Sequence, residues 1–114
     1  MDDTQHQDFA SFDHQRVVMD LCDRLGIKYD RRSRGTLLVP RGGVEAVLRE
    51  AIAEGYVVVG LEGFELEGPY IRPRMDLIYD SDRASSPVFD VLEHFEDDVW
   101  VDIVLEPSRD IEQH

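Results

Sequence analysis

Carboxylates are the reactive side chains this sequence supplies most freely: 25 Asp and Glu stand against 12 Lys and Arg in 114 residues, for a formal charge of −13. General acid–base chemistry needs two carboxylates, or a carboxylate and a histidine, converging in one pocket. Glu62, Asp76 and Asp80 are the candidates, because they fall on segments that read as neighbouring strands. No further residue type completes a catalytic constellation around them. The preferred reading is a solvated sheet edge held unpaired by its charge.

Metal chemistry finds little support in the spacing. Histidines stand at 6, 14, 94 and 114, and no pair has the i,i+4 separation of a helical zinc site. Asp80-Ser81-Asp82 opens like a calcium loop, but Ala84 and Ser85 occupy the next ligand position and the obligatory glycine. Neither a metal nor a cofactor is expected. Cys22, the single cysteine, lies on an apolar helical stripe and reads as core rather than nucleophile. No serine sits in a G-x-S-x-G elbow. Arg41-Gly42-Gly43 before a helix could hold an anion, but a plain helix start explains it equally well.

The placement of charge says more than its total. Residues 1–41 carry seven acids and seven bases, which cancel, whereas residues 62–114 carry fifteen acids and four arginines. A field of that sign repels nucleic-acid phosphate and anionic membrane and attracts a cationic partner. No apolar run approaches the length of a membrane span, and the polar, acidic first 15 residues are unlike a secretory signal. A lone cysteine excludes a disulfide scaffold, and the expected location is the cytoplasm.

The elements that would position these groups follow from periodicity. The chain reads as one domain, 1–114, with loose tails at 1–10 and 108–114. Asp13 caps a first helix, with Phe12 and Val17 placed as a hydrophobic staple, Val17, Val18, Leu21, Cys22 and Leu25 as its stripe and Gly26 as its stop. Residues 27–35 read as a loop or short edge strand, and Thr36–Val39 as a buried strand. After Gly42-Gly43, Val44, Val47, Leu48, Ala51 and Ile52 mark a second helix, closed by Gly55.

Tyr56–Leu61 is a central strand. Its apolar parity changes before Phe64, which predicts a one-residue bulge at Glu62-Gly63. Gly68-Pro69 turns the chain into a returning strand with Ile71, Pro73, Met75, Leu77 and Tyr79 on one face, and a two-residue turn sets Glu65 opposite Arg72. Ser86-Pro87 starts a third helix striped by Val88, Val91, Leu92 and Phe95. A last strand then alternates Val99, Val101, Ile103 and Leu105 with Trp100, Asp102, Val104 and Glu106. The expected fold is α+β: an N-terminal helix before a ferredoxin-like β-α-β-β-α-β run, with an antiparallel sheet and its helices on one face. The alternative is another small α+β sandwich whose first helix covers the second face.

Residues 60–82 (GLEGFELEGPYIRPRMDLIYDSD), with the closing strand VWVDIVLEP, resemble segments of small acidic bacterial immunity proteins from polymorphic and contact-dependent toxin systems. The likeness spans residues 60–106 and rests on Glu62-Gly63-Phe64, Ile71-Arg72-Pro73 and Asp76-Leu77-Ile78. It implies a non-enzymatic cytoplasmic inhibitor that covers the active site or substrate groove of one cationic toxin domain, often a nuclease. The carboxylates expected at that contact are Glu62 and Glu65, then Asp80 and Asp82, then Glu93, Glu96, Asp97, Asp98 and Asp102, with Trp100 as aromatic anchor. Arg72 and Arg74 should neutralise part of the hairpin, shifting the contact toward Asp80, Asp82 and Glu93–Asp98. Two other classes compete: a dimeric ferredoxin-like structural or ligand-sensing module, and a small metal-dependent hydrolase using Glu62, Asp76 or Asp80.

Overall fold

The computed structural model describes residues 13–31 and 35–108. The expected tails therefore lie outside the described residues apart from Ser108, as does the Phe12 half of the staple. Helix α1 (His14–Leu25) begins where Asp13 accepts hydrogen bonds from the backbone N–H groups of Gln15 and Arg16. It ends at Gly26, whose φ of 72° is the left-handed stop expected there. Two-residue strand β1 (Asp30–Arg31) pairs with β2 (Leu37–Pro40). Helix α2 (Arg41–Ala53) follows directly, then β3 (Tyr56–Glu67), β4 (Tyr70–Asp80), the short helix α3 (Val88–Leu92) and β5 (Trp100–Pro107).

The sheet is five-stranded and antiparallel, in the order β1-β2-β5-β3-β4. That order corrects the ferredoxin-like expectation, under which β4 would sit beside β2. Here β5 takes that place and β4 goes to the edge. The reason lies in the two strands' side chains. Val101, Ile103 and Leu105 of β5, with Val99 just before it, are all buried, so β5 needs a partner on each side. β4 carries Pro73, which cannot donate to a ladder, together with Arg72, Arg74 and Asp76, all suited to an edge.

One face of the sheet holds the core. Val18, Leu21 and Cys22 of α1, Val44, Val47, Leu48 and Ala51 of α2, and Leu92 and Phe95 in and after α3 form one cluster with Val58, Leu61, Leu77 and the inward residues of β2 and β5. Each fully buried leucine or valine here contributes about 1.5–3 kcal/mol relative to exposure. Ile52 departs from the expected stripe and is 46% exposed. Gly43 is needed for space: a Cβ there would lie 2.7 Å from Ile27 Cγ2, so Ile27, two residues past the end of α1, packs directly on the backbone of α2. The third helix begins at Val88, with Pro87 rather than Ser86 in the capping position, and gives way to turns after Leu92.

Two irregularities set which face each strand residue occupies. Between β3 and β5 the register shifts at Val58/Gly60, so Val59 is the extra residue. The one residue inserted into β3 is thus Val59 rather than one at Glu62-Gly63, and Phe64 does not share the face of Leu61. Phe64 pairs with Trp100 on the second face and is buried there, 7% exposed. A register shift does occur at Glu62/Gly63, but the extra residues belong to β4: Glu62 pairs with Ile78 and Gly63 with Arg74, leaving Met75, Asp76 and Leu77 looped out of the ladder. Consequently Ile71 and Pro73 share a face with Phe64, Tyr79 shares one with Leu61, and Met75 is 72% exposed.

Candidate functional site

The acidic side chains separate by sheet face. On the helical face, Arg74 of β4 binds three carboxylates: Glu65 of β3 at 2.9 Å, Asp76 at 2.8 Å and Glu96, in the turn before β5, at 3.1 Å. Arg72 bonds Glu65, its cross-strand partner, and lies 3.5 Å from Glu67. The Arg74 side chain is 19% exposed, so this cluster is partly shielded from water. Hydrogen bonds from Arg72 first and Arg74 second hold the Glu65 carboxyl below the usual carboxylate range, and Arg74 does the same for Asp76. Two expected partner contacts, Glu65 and Glu96, are thus bound within the chain instead. Their charge is spent on fixing the hairpin to the turn before β5.

The second face keeps its carboxylates. Glu62 and Asp102 are direct register partners on β3 and β5, where opposed like charges repel. Asp80 pairs with Gly60, one row away. A concavity of about 380 Å³ is lined by Glu62, Asp80 and Asp102 with Ile78, Tyr79 and Val104, and includes Gly60. Burial raises the pKa of Asp102; His14, at the start of α1, lowers it, and Glu62 raises it. Its ionised form is the costly one in this setting, so an arriving cation relieves more strain here than beside a fully solvated acid. Among the described residues, no arginine or lysine forms an ion pair with Glu62, Asp80 or Asp102.

Trp100 stands at the near end of the same face. It pairs with Phe64 on one side and Pro40 on the other, and Pro73 lies beyond Phe64. It is partly exposed and lies outside the core cluster, as does Phe64. Glu93, Asp97 and Asp98 are exposed in the turns between α3 and β5, and Asp82 follows the end of β4, its N–H donating to Asp80 Oδ1. The structure therefore brings Glu62, Asp80, Asp102 and Trp100 together and sets Glu93, Asp97 and Asp98 apart from them. The residues that sequence reasoning left out are Phe64, Pro73 and Pro40. Their signal was the apolar parity change itself, which marks a strand buried on both faces.

The other candidate chemistries take ordinary structural places. Among the described residues, no group of three or more His, Cys, Asp or Glu is placed to hold a metal ion. Asp76, offered as a hydrolytic carboxylate, is bound to Arg74 on the β4 bulge. Arg41 donates from Nε to the Phe95 carbonyl at 3.2 Å, and so ties the start of α2 to the turn before β5. Cys22 is fully buried, and its thiol is pushed up to about 11, by burial first and by Asp23 second. Native protein at neutral pH is expected to leave Cys22 unmodified by a chromogenic disulfide reagent, with full reaction in denaturant. Rapid native labelling would show that α1 opens readily.

These features define an α+β protein with a five-stranded antiparallel sheet, helices against one face and an acidic, aromatic second face. Comparison with protein-family models, with curated proteins and with solved structures finds no match in any of the three. No helix among the described residues is long and apolar enough to cross a membrane.

Proposed function

We propose that the chain is a non-enzymatic acidic binding protein, an immunity protein that neutralises a cognate cationic bacterial toxin in the cytoplasm by covering its active site or substrate groove. The observation that carries this reading is the second sheet face, where Glu62, Asp80 and Asp102 form no ion pair with arginine or lysine among the described residues, only His14 of α1 acting on Asp102, and lie beside a partly exposed Trp100. A toxin acting on nucleic acid presents a cationic groove, and a carboxylate-lined surface with an aromatic centre complements it in charge and in apolar contact. The internal neutralisation of Glu65 and Glu96 narrows the contact without removing it.

The test is binding and neutralisation. The chain is mixed with the polypeptide encoded by the adjacent reading frame, and affinity is followed by calorimetry across ionic strength. Nanomolar affinity, weakening about tenfold or more as salt rises from roughly 50 to 500 mM, together with loss of toxicity on co-expression, supports the reading. Absence of binding at low salt, or a salt-independent Kd, overturns it. The same apolar second face favours one rival, a dimeric structural or ligand-sensing module. Light scattering that reports a stable homodimer with Trp100 buried decides for that rival.

A further inference from the structure

Register places two unlike rows side by side on the second sheet face. Pro73, Phe64, Trp100 and Pro40 form an apolar row running across β4, β3, β5 and β2. One step along the strands, about 7 Å away, Glu62 and Asp102 form an acidic row flanked by Ile78. Asp80, Gly60 and Val104 make the row after that. Gly60 leaves the space open, since its missing side chain would project next to Val104 with nothing closer than 3.6 Å.

This combination suits one cation better than another. An ammonium group is strongly hydrated and gains little from apolar walls, whereas a guanidinium is weakly hydrated, planar and able to bond two carboxylates at once. Its stem can lie along Val104 and Ile78 while its fork meets the acids. The remaining acids offer no such setting. Glu65 and Glu96 are bound to arginine, and Glu93, Asp97 and Asp98 stand in turns whose apolar residues, Phe95 and Val99, are buried in the core.

Resting on the reading of the chain as a receiver of a cationic protein, we infer that the second sheet face is the docking surface, and that its occupant is a protein segment that sets an arginine between Glu62 and Asp102 and an apolar side chain on the partly exposed Trp100, which the buried Phe64 backs. Partner selection then depends on arginine flanked by apolar residues, and not on overall basicity. A lysine-rich segment of equal charge is discriminated against, and so is any polyanion.

The experiment is a heteronuclear NMR titration of the labelled full chain with the capped tripeptide acetyl-Leu-Arg-Leu-amide, against the same peptide with citrulline or lysine replacing arginine. The expected result is saturable shifts at the Glu62 and Asp102 carboxyls and the Trp100 indole N–H, with affinity at least tenfold lower for citrulline and severalfold lower for lysine. Glu62→Gln with Asp102→Asn should lower the affinity for the arginine peptide at least tenfold. Gly60→Val, which fills the space without touching a charge, should do the same. Shifts centred on Glu93, Asp97 and Asp98, equal responses to arginine and citrulline, or no saturable binding would each overturn the inference. The two proposals fail separately. If the neighbouring toxin binds with nanomolar affinity and is indifferent to Glu62→Gln/Asp102→Asn, this face is excluded while the immunity reading stands. If no toxin binds but the tripeptide titrates as expected, the face stands and that reading falls.

Discussion

Gly63→Ala is expected to lower the unfolding free energy by about 1–3 kcal/mol, the usual range for overfilling a packed site. A Cβ at Gly63 would stand 3.0 Å from Leu77 Cβ and 3.3 Å from its Cδ1. Leu77 cannot retreat easily, because its Cβ is fixed by the backbone of the β4 bulge and its side chain is buried in the core cluster. The opposing gain, reduced chain entropy on replacing glycine by alanine, is smaller, about 0.4–1 kcal/mol. Overlap therefore wins at Gly63. Three residues earlier in the same strand the balance reverses. At Gly60 the closest atom to an added Cβ is the Tyr79 carbonyl oxygen at 3.6 Å, an ordinary contact, so Gly60→Ala should be neutral or stabilising. Urea unfolding of the two variants, with unchanged m-values, checks the pair. Equal midpoints would show that the bulge yields and that Leu77 does not depend on the missing side chain.

Arg74→Gln should shift both stability and its response to acid. In the intact protein Glu65 and Asp76 titrate below their ordinary ranges because arginines bond their ionised forms. A depressed folded-state pKa contributes stability above the unfolded value, near 4, and that contribution is lost as pH falls through the folded value. Without Arg74, Asp76 loses its main cause of depression and Glu65 loses its second. The variant is therefore less stable near neutrality, and its curve approaches that of the parent as pH falls through the lowered folded-state values, below which both carboxyls are protonated in either state. Amide exchange in residues 93–98 should quicken at the same time, since among the described residues Arg74 is the ion-pair partner of Glu96. A constant offset between the two curves from pH 7 to pH 2 would mean that the cluster acts by packing rather than by charge.

What could be read from the chain beforehand was largely local. The start of α1 at Asp13 and its stop at Gly26 depend on hydrogen bonds and a backbone angle within a few residues, and both stand where expected. The Gly68-Pro69 turn and the Glu65–Arg72 pair are equally local, and the register confirms them. The strand order was not read correctly, because it depends on which distant strand joins β3 on its open side. The clue was present in Pro73 and the charges around it, which mark β4 as an edge. An irregularity does fall at Glu62/Gly63 as expected, but its extra residues belong to β4: the parity argument assumed one buried face for β3, and Phe64 is buried on the other. Within the candidate site, residue types were visible throughout. Their sorting into acids bonded to arginine and acids not so bonded was not, because Glu96 meets Arg74 across 22 positions of sequence.

The central position of β5 also bears on how the molecule comes to exist. β2 and β3 do not touch as sheet partners, and the strand that lies between them is made after both. A nascent polypeptide that has emerged only as far as residue 98 has its helices and its hairpin but no closed sheet, and its inward valines and leucines remain wet. Closure must await Trp100–Pro107 sliding between two strands already synthesised, a long-range step of the kind that slows folding. The same insertion brings Trp100 and Asp102 beside Phe64 and Glu62, so the second sheet face is assembled only after β5 has been made.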